Sequence, residues 1–436
     1  MKHPTVQDIF LRFYPEYLDK YTPSSQQFKV ANCIINCKTG AYGANVSMCE
    51  DCGHLQIHYN SCRNRCCPMC QALPKEMWID KRREDVLDAP YFHVVFTVPQ
   101  ELNALIYSNQ QLLYDAMYHS VSATINELTE DTKYLGAKVG YICVLHTWGS
   151  EMNYHPHIHV ILLGGGLTSN NQWRDKGEEF FLPVKVLSKL FRGKYLDELK
   201  TLWEERKLQF HGSSEKYRNH YAFKELLNTC YEKDWVPHCK KTFNGAQSVI
   251  NYLGKYTHRI AISNHRIIRM DEDTVTYYVK DYREEGKWKE FTISGVEFIR
   301  RFLMHVPPKR FVRIRHYGLL CTRTKTRHLT LCRNLLGCKQ YLSRLKDLDT
   351  PQMLETLYGI KVTVCKCCGG HLGKPRQRIP NNGEHKKYIQ EDHHPAIISR
   401  EMFRAVQKMR ESRSNIERHA DGTVTRKAKR YTGKKE

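Results

Sequence analysis

The chain has 436 residues, with 68 Lys and Arg against 46 Asp and Glu, a formal net charge of +22. Hydrophobic residues make up 41% and charged residues 26%, a globular composition that excludes a disordered or fibrous chain. No apolar run approaches the ~20 residues that span a bilayer, and the first residues hold no apolar stretch of a secretory signal. The expectation is a cytoplasmic protein of about three domains with no membrane partner.

Residues 1–80 form a polar, cysteine-rich first unit. The pattern predicts a helix over 77–87, stopped before Pro90, then a buried strand over 92–98 rich in apolar and β-branched residues. Residues 100–130 read as helical. Two strands follow, at 139–148 and 157–163, joined by a polar stretch at 149–156. Gly164, Gly165 and Gly166 are expected to end the second strand. A mostly helical insertion covers 170–243, and Asn244 is placed to cap a helix running to about residue 257. Residues 259–300 alternate like a β-meander, with Asp271, Glu272 and Asp273 in one turn. The segment 302–338 is basic. The last 64 residues carry 17 Lys and Arg against 8 Asp and Glu.

Such a spread of positive charge favours an extended nucleic acid over one small anion. There are 17 cysteines, and eight of them precede residue 71. In a reducing compartment such a cluster most often holds zinc. Cys49-x-x-Cys52-Gly53 and Cys67-x-x-Cys70 are two knuckles with 14 residues between them, and together they could present four thiolates tetrahedrally. Cys33, Cys37, Cys62 and Cys66 could build a second zinc site, with His54 or His58 as nitrogen ligands. Cys365, Cys367 and Cys368 resemble a further knuckle, but no second pair lies close to it in sequence.

In Tyr154-His155-Pro156-His157-Ile158-His159-Val160, residues two apart on a strand share a face. His157 and His159 therefore form half of a metal site, and His146 on the preceding strand is placed to supply a third ligand. Tyr252 and Tyr256 are four apart, so a helix would put both hydroxyls on one face. Ordinary packing tyrosines show the same spacing; what distinguishes this pair is its company of metal-ready histidines in a basic chain.

These motifs, taken together, resemble the insertion-sequence ninety-one family of rolling-circle transposases, relatives of the HUH endonucleases. The resemblance is carried by Cys49-x-x-Cys52-Gly53-His54, the run from Ser61 to Gln71, and His146-Thr147-Trp148-Gly149. It continues in the His157-Ile158-His159 strand, the three glycines, the segment from Tyr252 to Arg259, and Arg313-Ile314-Arg315-His316-Tyr317-Gly318. It covers about residues 5–372. Cys66 departs from it, standing where the family commonly has His.

The fold implied is α+β: an N-terminal zinc-binding domain (1–89), then an HUH-type nuclease domain (90–340) with an antiparallel sheet flanked by helices and the helical insertion at 170–243. A cysteine-containing segment (341–379) and a basic tail (380–436) follow, and the tail is similar to a stretch of large serine recombinases. The activity implied is nicking and rejoining of single-stranded DNA at element ends through a 5′-phosphotyrosine. Tyr252 and Tyr256 would attack, while His146, His157 and His159 hold Mg²⁺ or Mn²⁺. Zn²⁺ would be structural, and Arg259, Lys309, Arg310, Arg313 and Arg315 would contact DNA. No nucleotide cofactor is expected. The oligomeric state is not legible. A replication initiator or relaxase would share the chemistry; a zinc-containing DNA-binding regulator would not need it, and a metal-dependent hydrolase would form no protein–DNA adduct.

Overall fold

The long apolar runs around residues 140 and 160 become the two central strands of an antiparallel sheet. In the computed structural model, which describes residues 3–177, 182–235, 238–241, 254, 260–281, 284, 286–373, 399–414, 416–419 and 423–426, the chain divides into units 1–376 and 377–436. Among the described residues no helix is long and apolar enough to cross a membrane.

The first unit opens with α1 (Val6–Lys20) and α2 (Ser25–Ile35), each started by a capping box, Thr5 with Asp8 and Ser24 with Gln27. A hairpin of β1 (Ala44–Met48) and β2 (Leu55–Tyr59) follows, then α3 (Ala72–Arg83). That last helix starts five residues earlier than expected. Pro74 lies in its first turn, where the missing N–H costs nothing.

Next come β3 (Tyr91–Thr97), α4 (Asn103–Ser108), α5 (Gln110–Glu130), β4 (Lys138–Trp148), β5 (Tyr154–Leu167) and β6 (Trp173–Asp175). The insertion supplies α6 (Val184–Glu204), α7 (His220–Glu232) and β7 (His238–Lys241). β8 (Ile267–Met270), β9 (Thr274–Asp281) and β10 (Lys287–Ser294) form the meander. The meander stops at Ser294, short of the expected residue 300. The Ser294 hydroxyl accepts from the Glu297 N–H at 3.2 Å and starts α8 (Gly295–Met304), whose apolar residues recur at helical spacing. β11 (Ile314–Gly318), α9 (Lys325–Leu336) and α10 (Thr350–Tyr358) complete the unit.

The main sheet runs β11-β4-β5-β3-β7, with β6 also paired to β5, and every pairing is antiparallel. Ile158, Val160 and Leu162 point to one face, where they join Tyr114, Tyr118, Phe191 and Tyr195 in the largest core. On the opposite face Ile142, Val144, Ile161 and Leu163 meet Leu329 and Cys332 of α9 in a smaller core. A third core joins Phe10, Phe13, Val30 and Ile34 of α1 and α2 to Val275, Tyr277, Phe298 and Phe302. The two N-terminal helices thus bury their apolar faces against the meander and α8, far along the chain.

The second unit holds α11 (Arg400–Arg413), capped by Ser399, and a short hairpin of β12 (Ile416–Arg418) and β13 (Val424–Arg426). Met402, Phe403, Val406 and Met409 of that helix are exposed.

The three glycines do not end β5; the strand continues through them to Leu167. Their role is close approach. A Cβ on Gly166 would lie 2.3 Å from the Lys138 carbonyl oxygen, and one on Gly164 would lie 2.7 Å from the Phe92 ring. Gly166→Ala should therefore force β4 and β5 apart, costing about 1–3 kcal/mol as overpacked sites do. A clear drop in the thermal unfolding midpoint is the expected result.

Candidate active site

The ladder between β4 and β5 sets His146 opposite His157, with His159 two residues further along the same face. One ring nitrogen from each of the three lies within 4.8 Å of the others, and the Nε2 atoms of His157 and His159 are 3.1 Å apart. His146 is buried and the other two are half-buried. The His157 Nδ1–H donates to the carbonyl oxygen of His155 at 2.7 Å, which leaves its Nε2 lone pair turned into the cluster. On the other side, His159 Nδ1 sits 2.8 Å from Nε2 of His93, a residue of β3. With Nδ1–H donating to His93, His159 likewise keeps Nε2 as a lone pair.

His93 was not singled out in the sequence. The signal for it is the alternation of β3, which puts His93, Val95 and Thr97 on one face opposite Ile161, His159 and His157.

Burial first, then the neighbouring His155 imidazole, pulls the His157 pKa down to about 4. The ring is therefore neutral at physiological pH, the state that binds a cation. Three imidazoles on rigid strands, two with their outer nitrogens hydrogen-bonded, are a donor set that could hold a divalent ion.

The loop joining the two strands is held by its carbonyls. Arg266 donates to Ser150 O at 2.6 Å, Arg301 and the Tyr277 hydroxyl to Glu151 O at 2.9 and 3.1 Å, and His305 Nε2–H to Met152 O at 3.0 Å. All four donors come from 260–306, so the turn that aims the histidines is fixed by the third core. The cluster forms part of the wall of a groove of about 1150 Å³, which also includes Cys66, Lys75, Arg266, Lys280 and Trp288.

The cysteines pair differently from the expected set. Cys67 and Cys70 meet Cys37 and Cys62, with Cys62 and Cys70 sulfurs 3.8 Å apart. Cys49 and Cys52 instead meet Cys365 and Cys368. The four-thiolate set Cys49, Cys52, Cys67 and Cys70 is not formed, because the first knuckle lies at the tip of the β1–β2 hairpin while the second closes against Cys37, just after α2. Cys66, expected in a second zinc site, belongs to neither group and lines the histidine groove. Cys33, His54 and His58 are also outside both groups.

A family model described as a transposase zinc-binding domain matches residues 9–98, and one described as "Putative transposase" matches 140–328. A third, described as recombinase, matches 356–413. The "Putative transposase y4qJ" of Sinorhizobium fredii is 41% identical over 377 residues, covering 85% of this chain and 94% of that protein. The chain belongs to the insertion-sequence ninety-one family of transposases. The transposase for insertion sequence element IS801 of Pseudomonas savastanoi pv. phaseolicola is 27% identical over 74% of this chain and 75% of its own length. Among solved structures, the conjugative relaxase TrwC with a 27-mer DNA comprising the recognition hairpin and the cleavage site is 19% identical over 25% of this chain and 44% of that chain (TM-score 0.20). The metal-bound TrwC complex with OriT DNA is 16% identical over 39% and 71% (TM-score 0.22). Likenesses at that level carry no argument.

The transposase is thus a rolling-circle DNA-cleaving enzyme with an N-terminal zinc-binding domain. Tyr252, Tyr256 and Arg259 lie outside the described residues. Gly254, between the two tyrosines in sequence, is helical and buried; a Cβ there would fall 2.1 Å from Ile79 Cδ1 of α3. Lys309 and Arg310 are exposed and share a basic groove of about 400 Å³ with Lys29 and Arg65. The Arg313 guanidinium lies 5.8 Å over the Trp148 ring, beside the histidines. Arg315 pairs with Asp115 and stacks 4.0 Å over Tyr118.

Burial also lowers the His305 pKa to about 4. The unfolded chain protonates such rings near pH ~6.5 while the folded chain keeps them neutral, so the unfolded state binds more protons as pH falls. Stability of the metal-free protein should be complete above that pH and decline between pH 6.5 and 4. Thermal melts across this window check it, and a flat midpoint would contradict the assignment.

Proposed function

We propose that the transposase nicks and rejoins single-stranded DNA at its element ends, with Tyr252 and Tyr256 as nucleophiles and His146, His157 and His159 as ligands of Mg²⁺ or Mn²⁺. The observation that carries this reading is the convergence of three imidazoles on one sheet face in a wide groove.

A phenol with a pKa near ~10 is a weak nucleophile at neutral pH and needs a positioned phosphate. In the step proposed, a tyrosine oxygen bonds to phosphorus, the bond from phosphorus to the 3′ oxygen breaks, and the phenolic proton ends on that departing 3′ oxygen, which becomes the free 3′ hydroxyl. The phosphodiester energy stays in the phosphotyrosine, so rejoining by another 3′ hydroxyl needs no nucleotide cofactor. Two tyrosines allow two such transfers before the first intermediate is released. A divalent ion at the histidines supplies Lewis-acid stabilisation of the phosphoryl oxygens.

The chain's own residues orient the rest. The His155 carbonyl and His93 hold the two imidazoles of β5 in ligand tautomers. Trp288 is exposed at the groove, with the Lys280 ammonium 5.3 Å from its ring centroid. An aromatic face beside a cation suits an unpaired base and its phosphate. Lys309 and Arg310 extend the basic surface. An all-imidazole donor set suits Mg²⁺ poorly, because that hard ion prefers oxygen ligands.

The test is incubation with labelled single-stranded element ends and Mn²⁺. Wild type should give a covalent adduct that survives denaturation. His157→Ala should lower cleavage at least about 100-fold while leaving single-strand binding largely intact, because the lost interaction acts mainly in the transition state. The double variant Tyr252→Phe/Tyr256→Phe should form no adduct; an adduct from it places the nucleophile elsewhere and sinks the proposal.

His93 generates a separate expectation. His93→Ala removes the partner of His159 Nδ1 and should weaken Mn²⁺ binding about 10- to 100-fold, the usual cost of losing an outer-shell partner. Calorimetric titration of the apoprotein measures it.

A further inference from the structure

The second cysteine cluster is built from the two ends of the first unit. Cys49 and Cys52 lie on the tip of the β1–β2 hairpin, and Cys365 and Cys368 lie more than 300 residues later. The late segment folds back on itself through Cys365 N–H to Gly370 O at 2.8 Å and Gly369 N–H to Cys365 O at 3.0 Å. It then docks edge-on to the hairpin. Glu50 N–H donates to His371 O at 3.3 Å, and Gly373 N–H to Met48 O at 3.2 Å, making a bridge between Cys49 and Leu372.

Each turn is a knuckle. Gly53 and Gly369 follow the second cysteine of their pairs with φ of 67° and 77°, a conformation that favours glycine. Backbone N–H groups of Cys367 and Gly370 point at the sulfurs of Cys365 and Cys368, each at 3.4 Å. Such donors stabilise thiolates. The cross-pair sulfur distances are 3.5 Å (Cys49 to Cys368) and 3.7 Å (Cys52 to Cys365). Four thiolates at ~2.3 Å from a tetrahedral zinc are about 3.8 Å apart. Among the described residues, the apolar core around them is Cys49, Cys365 and Leu372, far too little to hold two segments together without a metal.

An independent contact brings the same late segment to the same unit. Asp80 of α3 accepts from the Tyr341 hydroxyl at 2.8 Å, the Leu345 N–H at 3.1 Å and the Ser343 hydroxyl. The chain is thus already guided back over the N-terminal unit before it reaches Cys365.

We propose that Cys49, Cys52, Cys365 and Cys368 bind a structural zinc ion that clasps the end of the catalytic unit to its beginning. The zinc-binding domain matched at 9–98 contains only half of this site. The transposase then carries two zinc ions, a local one at Cys37, Cys62, Cys67 and Cys70, and one that closes a chain-long loop. Closing so long a loop removes much disorder from the unfolded chain. This inference is independent of the tyrosine chemistry.

The experiment uses the full chain, purified under reducing, chelator-free conditions. Zinc analysis should give two ions per chain. Cys365→Ser/Cys368→Ser should give one, and adding Cys49→Ser to that pair should still leave one, because all three substitutions fall in one site. Adding Cys67→Ser instead should leave none. A wild-type measurement avoids dependence on variants that fold poorly. Cys52 and Cys368 are exposed, so burial does not shield them, and exposed Cys367 between the late ligands serves as an internal standard. In wild type, an alkylating reagent read by peptide mass should modify Cys367 at once. Cys52, Cys365 and Cys368 should react together only after a chelator is added. If Cys52 and Cys368 react as fast as Cys367 without chelator, or if replacing Cys365 and Cys368 leaves the zinc content unchanged, the clasp does not exist.

Discussion

Antiparallel pairing of β4 with β5 puts His146 across from His157, and that ladder is held in register by burial on its other face. Ile158, Val160 and Leu162 are fully enclosed against the aromatic side chains of α5 and α6. A slip of one residue would turn those apolar groups outward and send the histidines into the core, a change opposed by several buried side chains at about 1.5–3 kcal/mol each. The geometry of the site is therefore maintained by residues that never touch it. β5 also occupies the middle of the sheet, so it receives His146 from one neighbour and His93 from the other.

The turn between those strands is polar and exposes carbonyls that need donors. They are met by Arg266, Tyr277, Arg301 and His305, residues of the meander and α8. That layer in turn buries the apolar faces of α1 and α2. A chain of packed contacts thus runs from the N-terminal helices through the meander to the histidine loop. It explains why the N-terminal segment does not close a core by itself: its largest apolar side chains pack against residues some 260 positions away, and the Val6 N–H donates to Asn264 Oδ1 at 3.1 Å.

α3 is the common mount. It begins directly after the Cys67–Cys70 knuckle, so a metal held by Cys37, Cys62, Cys67 and Cys70 would fix its first turn. Its Ile79 receives Gly254, at the centre of the tyrosine motif, and its Asp80 receives the segment returning from α9. The Cys67–Cys70 knuckle, Gly254 and the returning segment are all linked through this one helix. Cys66 lines the histidine groove, although Cys62 and Cys67 on either side of it in the run belong to the first thiol group.

What could be read from the sequence was whatever depends on short spacings. A His-x-His pair on an apolar strand shares a face because the strand period is two, and nothing distant can alter that. Strands expected over 92–98, 139–148 and 157–163 for the same reason are found at 91–97, 138–148 and 154–167. The glycines after Leu163 misled, because glycine reads locally as a breaker, whereas Gly166 is demanded by the Lys138 backbone on the next strand. His93 could not be found without knowing that β3 lies beside β5. The cysteine pairing was beyond sequence altogether. Two knuckles 14 residues apart look like partners, yet Cys49 and Cys368 meet across 319 residues. Spacing specifies a knuckle, but which knuckles share a metal depends on where the whole chain returns, and only the packing of α3, the hairpin and the late segment decides that.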